Sequence, residues 1–452
     1  MSDISNKNKD NKLLSENVGK LIWDYSLPAV VGTIAMSVYN IVDRIFIGQG
    51  VGPLALSGLA LAFPIMIILM AFGLLVGVGA SSRISISMGE GNHVKSEKIL
   101  GNTFTLTLII SGTAIFFAMI FMDDILRMFG STDNTLQYAR DYMQIIIPGG
   151  VFTALYFGFN NIIRSSGFPR KAMYSIIFGA VLNALLDPLF IFVFDWGIKG
   201  AAWATVISYF AGTIWVMSHF FSKESNLRFN KSYFKLEKEI VYSIVSIGMS
   251  PFAMQVGTSL VVVIINSTLL KYGGDLAIGA YGIINSVNIL VVMFIIGLNQ
   301  GTQPIVGFNY GAGKYDRMFS ALKIAVITGT ILSTIGFVIG VFFAEPMVSL
   351  FTTDAELRSI ASNALFISVL MFPLIGSQIV ASNFFQSIGK AKISIFLSLT
   401  RQFIFLIPSI LILPLFMGLD GAWATMPVSD ALSTVVSWTT LFLFIKRFKK
   451  QM

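Results

Sequence analysis

Much of this sequence is written twice. Met88-Gly89-Glu90-Gly91-Asn92 returns as Tyr310-Gly311-Ala312-Gly313-Lys314, and Ser165-Ser166-Gly167 returns as Ser387-Ile388-Gly389, each about 222 residues on. Gly200-Ala201-Ala202-Trp203-Ala204-Thr205 likewise returns as Gly421-Ala422-Trp423-Ala424-Thr425, and Ser26-Leu27-Pro28 is matched by Ser250-Pro251. A duplicated chain builds two similar units, so the question becomes what each unit is. Apolar runs answer it. A helix needs about 20 apolar residues to cross a bilayer, and twelve such segments occur, near 22–47, 54–87, 97–122, 136–163, 169–194, 198–221, 240–270, 276–307, 316–343, 356–386, 391–416 and 420–445. Membrane-spanning barrel strands alternate over about 10 residues, and runs such as 63–75 and 331–343 do not alternate. Only 12% of the residues are charged, against about 25% in soluble domains, and the mean hydropathy is +0.78. The expected fold is an all-α integral membrane protein of twelve transmembrane helices in two six-helix bundles, related by a pseudo-two-fold axis along the membrane normal.

The net charge of +8 does not point to nucleic acid, because the basic residues are sorted by side. With both termini inside, the inner segments hold 24 Lys and Arg; the outer loops hold five, Arg127, Arg140, Lys199, Lys271 and Arg358. Arg44 and Arg401 lie within helices. Such asymmetry orients membrane proteins with the basic side in the cytoplasm. The expected organisation is a cytoplasmic tail at 1–21, a first lobe at 22–222, a cytoplasmic linker at 223–239, a second lobe at 240–446 and a tail at 447–452. Six helices in each half give both repeats the same orientation, and a cleft between two parallel bundles can open to either side by rocking. The polar first 20 residues do not read as a signal peptide. The chain has no cysteine, which excludes disulfide and thiolate chemistry.

The repeat breaks where charge enters the membrane. Asp43 falls opposite Asn266, and Asp187 falls opposite Ile407. A carboxylate at mid-membrane costs about 2.5–3.5 kcal/mol on insertion scales, so each asks for a function. Asn183 and Asp187 are four apart and share a helix face, and Pro188 removes an N–H and frees carbonyl oxygens nearby. Asn160 and Thr205 add oxygen at comparable depth. The set Asp43, Asn160, Asn183, Asp187 and Thr205 reads as a site for a proton or a sodium ion. Removal from water favours the neutral form of a carboxylic acid, and oxygen ligands suit a hard cation. The plainer alternative pairs Asp43 with the adjacent Arg44.

Arg401 and Asp430 both fall near the membrane midplane on neighbouring antiparallel segments, where they can pair. Either they form a structural ion pair, or they line the cleft and respond to substrate. The seventh and eighth segments carry Gln255, Asn266, Asn285, Asn288, Asn299, Gln300 and Gln303, as helix-joining amides or as cleft contacts. Met36, Phe63, Met66, Phe157, Met254 and Met293 are candidates to face an apolar substrate. Gly89-Glu90-Gly91 and Gly311-Ala312-Gly313 read as tight turns, since no Walker lysine follows. His93 and His219 lack ligand spacing. Neither a metal motif nor a nucleophile–base–acid set appears, so the chain does not read as an enzyme.

These residues together resemble the multidrug and toxic compound extrusion (MATE) transporters across nearly the whole chain. The resemblance rests on the two repeats, Ser26-Leu27-Pro28, the Gly-x-Gly elbows, Arg164-Ser165-Ser166-Gly167, Asn183 to Pro188, the Gly-Ala-Ala-x-Ala-Thr opening of the sixth segment, and Arg401-Gln402. Asn-x-x-x-Asp-Pro and the short ends look most like the MepA-like branch. The resemblance implies export of cationic amphipathic compounds against protons or sodium, with coupling at Asp43 and Asp187 and with Tyr39, Asn160, Asn183 and Thr205 around them. It leaves Gln255, Asn266, Met36, Phe157, Met254, Arg401 and Asp430 as candidates for the substrate cleft. NorM-type relatives also carry acids in helices 7 and 10, where this chain has only Gln255 and Gln378, and the burden shifts to the first lobe. No cofactor is expected, and the only metal expected is sodium as coupling ion at Asp43, Asp187, Asn183 and Thr205. The expected partners are small organic cations and the lipid bilayer, with no nucleic acid, and the expected state is a monomer in a bacterial plasma membrane. The competing reading is a flippase or exporter of a lipid-linked sugar or endogenous metabolite, which calls for several cations in the cleft to hold pyrophosphate.

Overall fold

The computed structural model describes residues 12–129 and 131–451; of the expected terminal tails, residues 1–11 and 452 lie outside the described residues. The first bundle comprises α1 (Val18–Gly50), α2 (Pro53–Gly89), α3 (His93–Ile120), α4 (Asp133–Ser165), α5 (Pro169–Pro188) and α6 (Gly197–Phe221). The second begins with one helical run, Lys238–Gly311, broken at Gly274 into α7 (238–273) and α8 (275–311). It continues with α9 (Tyr315–Phe342) and with α10, made of Ala355–Val369 and Phe372–Ser387 bent by 51°. From Ala391 the chain runs to Gln451, broken at Gly418 into α11 (391–417) and α12 (419–451). Among the described residues nine helices are long and apolar enough to cross a membrane. Two of these are the double-length runs, and α10 adds a bent span, so the chain makes twelve crossings in two bundles. Most helices overrun the apolar segments by a few residues, because Asn17 and Asn92 cap α1 and α3 beyond the apolar boundary.

The duplication reaches the backbone. The eight glycines with positive φ form four pairs at the repeat spacing: Gly52 with Gly274, Gly91 with Gly313, Gly167 with Gly389 and Gly197 with Gly418. Gly274 (φ 64°, ψ −161°) and Gly418 (φ 58°, ψ −133°) reverse the chain between adjacent helices in a conformation that a side chain would oppose. The Gly-x-Gly elbows are turns, as their spacing predicts.

The two bundles interlock on the face that carries the described ends and the 222–237 connector, called here the linker face. Small residues let backbones touch there. A Cβ at Gly248 of α7 would lie 1.6 Å from the carbonyl oxygen of Leu75 in α2, and one at Gly79 would lie 2.0 Å from that of Ile244. Closer to the linker face, a Cβ at Gly89 would lie 2.0 Å from the Phe308 carbonyl oxygen, and one at Gly311 would lie 2.1 Å from that of Ile86. Gln303 Nε2 donates to Ser82 Oγ at 2.6 Å and Ser26 Oγ to the Leu298 carbonyl at 3.2 Å. Gln303 is thus helix glue, one of the two readings of the amides in α8.

A strap reinforces this seam. Residues 12–15 form a helical turn ahead of α1, and Leu13 is buried in the main core. Arg317 at the start of α9 donates through Nη2 to the carbonyls of Leu13 (3.0 Å) and Glu16 (2.6 Å), and through Nε to Asn309 Oδ1 (3.2 Å). A segment continuous with the first bundle is therefore bonded to the second. Arg317→Ala should loosen the seam. A cysteine introduced at buried Ser85 then reacts faster with an impermeant maleimide added from the linker face; an unchanged rate would show that the strap contributes nothing to closure.

Candidate ion-coupling site

α5 lies between α1 and α6, and the three helices bring the first-bundle acids together. Asp43 faces inward from the far half of α1, and Asp187 ends the last turn of α5. Pro188 follows, and the helix then widens into a π-helical turn, Leu189–Val193. The missing proline N–H and the wider turn leave the backbone loose beside the acid. Asp43 is 6% exposed and Asp187 0%, and their carboxyl groups lie close enough to interact directly. Two buried carboxyl groups side by side disfavour two charges, so the pair favours holding a proton. Asp43 Oδ1 is buried with no hydrogen-bond partner.

Asn183 sits one turn below Asp187. With its amide oriented to satisfy both neighbours, its nitrogen donates to Asp187 Oδ2 at 2.8 Å and its oxygen accepts from the Thr205 N–H at 3.3 Å. Sequence spacing thus anticipates four of these residues, and Tyr39 joins them. Its hydroxyl lies 3.4 Å from that of Tyr209 on α6, and both tyrosines are within electrostatic reach of Asp43.

Two members were missed. Tyr142 of α4 is buried and lies near Thr205 and both acids. Tyr209 closes the set from α6. A tyrosine in an apolar segment reads as core, and its hydroxyl's destination depends on how α4 packs on α6. Asn160 is a correction. It is not with the acids: its Nδ2 donates to the Ala172 carbonyl (2.7 Å) and Ser175 Oγ (2.8 Å), and its Oδ1 accepts from Arg164 (3.1 Å). Ala172 lies in the first turn of α5 and Asp187 in the last. At 1.5 Å per residue that separates Asn160 from the acids by roughly 20 Å. Arg44 is not the partner of Asp43 either; its guanidinium lies over the Phe63 ring, 5.1 Å from the centroid.

Below the acids, Met36, Tyr39, Phe157, Asn183 and Tyr209 help line a cavity of about 300 Å³, of which only about 20 Å³ admits the centre of a water molecule. About 10–15 Å³ of such space holds one water, so in this conformation the cavity suits water beside the acids and is too small for a drug-sized compound. Met36 and Phe157, assigned to the substrate cleft from the sequence, line this narrow space.

In the second bundle, Arg401 Nε donates to Asp430 Oδ1 at 2.6 Å, the pairing expected of neighbouring helices. Gln402 Nε2 donates to Thr258 Oγ1 at 3.3 Å, tying α11 to α7. Met254 is exposed, Gln255 half-buried, and Asn266 Oδ1 buried without a hydrogen-bond partner. None of these is joined to the acid pair.

Against known proteins, the MatE family profile matches residues 28–189 and 251–412, one match in each bundle. The multidrug export protein MepA of Staphylococcus aureus (strain MSSA476) is 26% identical over 430 residues, 95% of each chain. The solved outward-facing conformation of a multidrug resistance MATE family transporter of the MOP superfamily aligns with a TM-score of 0.91 at 23% identity, over 97% of this chain and 98% of that one. A further solved chain, described as "protein A", is 38% identical with a TM-score of 0.88, over 94% of this chain and 95% of that one.

Proposed function

The chain belongs to the MatE family, and on that premise we propose that it exports cationic amphipathic compounds in exchange for protons, with Asp43 and Asp187 as the coupling pair. The observation that carries this reading is the pairing of two buried carboxyl groups side by side, Asp43 at 6% and Asp187 at 0% exposure, an arrangement that favours a proton at the site. The tyrosine hydroxyls of Tyr39, Tyr142 and Tyr209 complete a relay reaching toward the water-sized cavity.

The sorting of basic residues supports a cytoplasmic linker face. The interlocked seam then holds the inner side closed, so the outer side is the one left to open in this reading. Protons entering from outside load the carboxyl pair, and substrate loads from the cytoplasm in the opposite orientation. Each ligand shifts the equilibrium only by the difference in its affinity for the two orientations, so exchange requires that loading with one disfavour the other. Efflux of a fluorescent organic cation from vesicles, with pH and sodium gradients imposed separately, tests this. The pH gradient should drive efflux and the sodium gradient alone should not. Efflux driven by sodium alone would reverse the ion assignment, and no efflux under either gradient would favour the flippase reading.

A further inference from the structure

We infer that the segment joining the bundles is a fixed part of the first bundle, held there by Asn102, so that the bundles pivot at Glu237–Lys238, where α7 begins. The segment ahead of α1 is then the catch that releases when the linker face opens. Resting on the export reading above, this assigns what moves at the linker face between the two orientations and what stays.

Asn102 of α3 is 0% exposed, and its amide clamps the connector. Its Nδ2 donates to the carbonyls of Tyr233 and Lys235, each at 3.1 Å, and its Oδ1 accepts from the Glu237 N–H at 2.7 Å. Thr105, on the same face of α3, donates through Oγ1 to the Phe234 carbonyl at 2.8 Å. Gly101 lets the two backbones meet, since a Cβ there would lie 2.5 Å from the Tyr233 carbonyl oxygen. A surface loop gives its backbone groups to water; these are taken up by a helix that the loop does not continue. The rest of the connector is held in the same way. Leu227 is fully buried, Asn226 Nδ2 donates to the Ser166 carbonyl at 3.1 Å, and the Arg228 N–H donates to Glu97 Oε1 at 3.2 Å. Phe229 and Phe234 stack against Phe104 of α3, with ring centroids 5.8 and 5.5 Å away. All these partners belong to the first bundle, and from Lys238 the chain is α7 of the second.

The repeat supplies the catch. Residues 12–16 precede α1 as 234–238 lead into α7, and Leu13 stands opposite Lys235 at the repeat spacing. Both carbonyls are bonded by the other bundle: that of Lys235 by Asn102 of α3, and that of Leu13 by Arg317 of α9. The two straps are thus exchanged, each leading into the first helix of one bundle while docked on the third helix of the other. They are unequal in grip. The strap ahead of α1 docks through buried Leu13, half-buried Leu14 and the long side chain of half-buried Arg317. Residues 12–17 contain no aromatic ring to match Phe229 and Phe234. Lifting the connector would strip rings from an aromatic cluster, whereas lifting residues 12–16 uncovers far less apolar surface. Rocking therefore parts the strap ahead of α1 and turns about the connector.

Reversible cross-links separate pivot from catch. The chain has no cysteine, so a pair of introduced thiols reports one contact. Lys98→Cys with Glu237→Cys replaces an exposed ion pair between α3 and the end of the connector (2.9 Å), a change of small effect on folding. Glu16→Cys with Ser320→Cys joins the catch to α9. Each full-length protein is treated in vesicles with a bifunctional thiosulfonate, and export of a fluorescent organic cation is measured before treatment, after it and after reduction. The 98–237 pair should export at the wild-type rate throughout. The 16–320 pair should lose export on cross-linking and regain it on reduction. Loss of export by the cross-linked 98–237 pair, or undiminished export by the cross-linked 16–320 pair, overturns the assignment. Wild-type protein that exports nothing overturns the export reading instead. The pivot is then read without transport, from amide hydrogen exchange of the purified protein. Residues 226–237 should exchange as slowly as the stretch of α3 beneath them, and exchange there as fast as in residues 12–17 overturns the pivot.

Discussion

Asp187→Asn protein reaches the membrane at the wild-type level and still lets substrate equilibrate, but it no longer concentrates substrate against a gradient. The amide keeps the shape of the carboxyl and can still bond Asn183, so folding is preserved. What is lost is the proton held by the carboxyl pair. One pH unit across a membrane is worth about 1.4 kcal/mol per proton, or about tenfold accumulation for one-for-one exchange. The variant should fall from that ratio to unity, and Asp43→Asn should do the same. The check is the steady-state concentration ratio of a fluorescent organic cation in vesicles under a fixed pH gradient. Undiminished accumulation by Asp187→Asn would remove the acid pair from the mechanism.

The second large effect comes from a methyl group. Gly248→Ala puts a Cβ 1.6 Å from the Leu75 carbonyl oxygen, across the seam between bundles. The obstacle is backbone and cannot swing aside, so α2 and α7 must separate. Overpacking costs about 1–3 kcal/mol, which shifts an equilibrium between conformations about 5- to 150-fold. The sealed linker face becomes the minor state and export falls accordingly. Because the chain has no cysteine, a thiol placed at Ser85 reports the seam alone, and its labelling from the linker face should rise with Gly248→Ala. Gly112→Ala serves as control, since a Cβ there meets nothing within 4 Å. Equal behaviour of the two variants would mean that close packing at the seam does not hold the orientation.

The twelve crossings were legible because a long apolar run in a bilayer has few ways to satisfy its backbone. Even the two helical runs broken at Gly274 and Gly418 follow the repeat, since Gly52 and Gly197 bend the first bundle at matching places. Asp43 and Asp187 stood out for a related reason: a charge in that setting is costly. Arg401 and Asp430 could be paired by counting from the ends of antiparallel neighbours. Asn160 was misplaced in depth: it lies near the linker-face end of α4, beside Ala172 and Ser175 in the first turns of α5, whereas Asp187 ends that helix. Lateral packing was beyond such counting. Tyr142 and Tyr209 carry no periodic or charge signal, and only the meeting of α4 and α6 brings their hydroxyls to the acids.

The most direct test of the account drives the exchange backward. In sealed vesicles holding purified protein, a substrate gradient imposed with no pH or sodium gradient should move protons in the opposite direction, recorded by a trapped pH indicator. The account predicts proton movement with wild-type protein and none with the double substitution Asp43→Asn, Asp187→Asn, while substrate still equilibrates. Proton movement that persists in the double variant would contradict the claim that these two carboxyl groups couple transport to the proton.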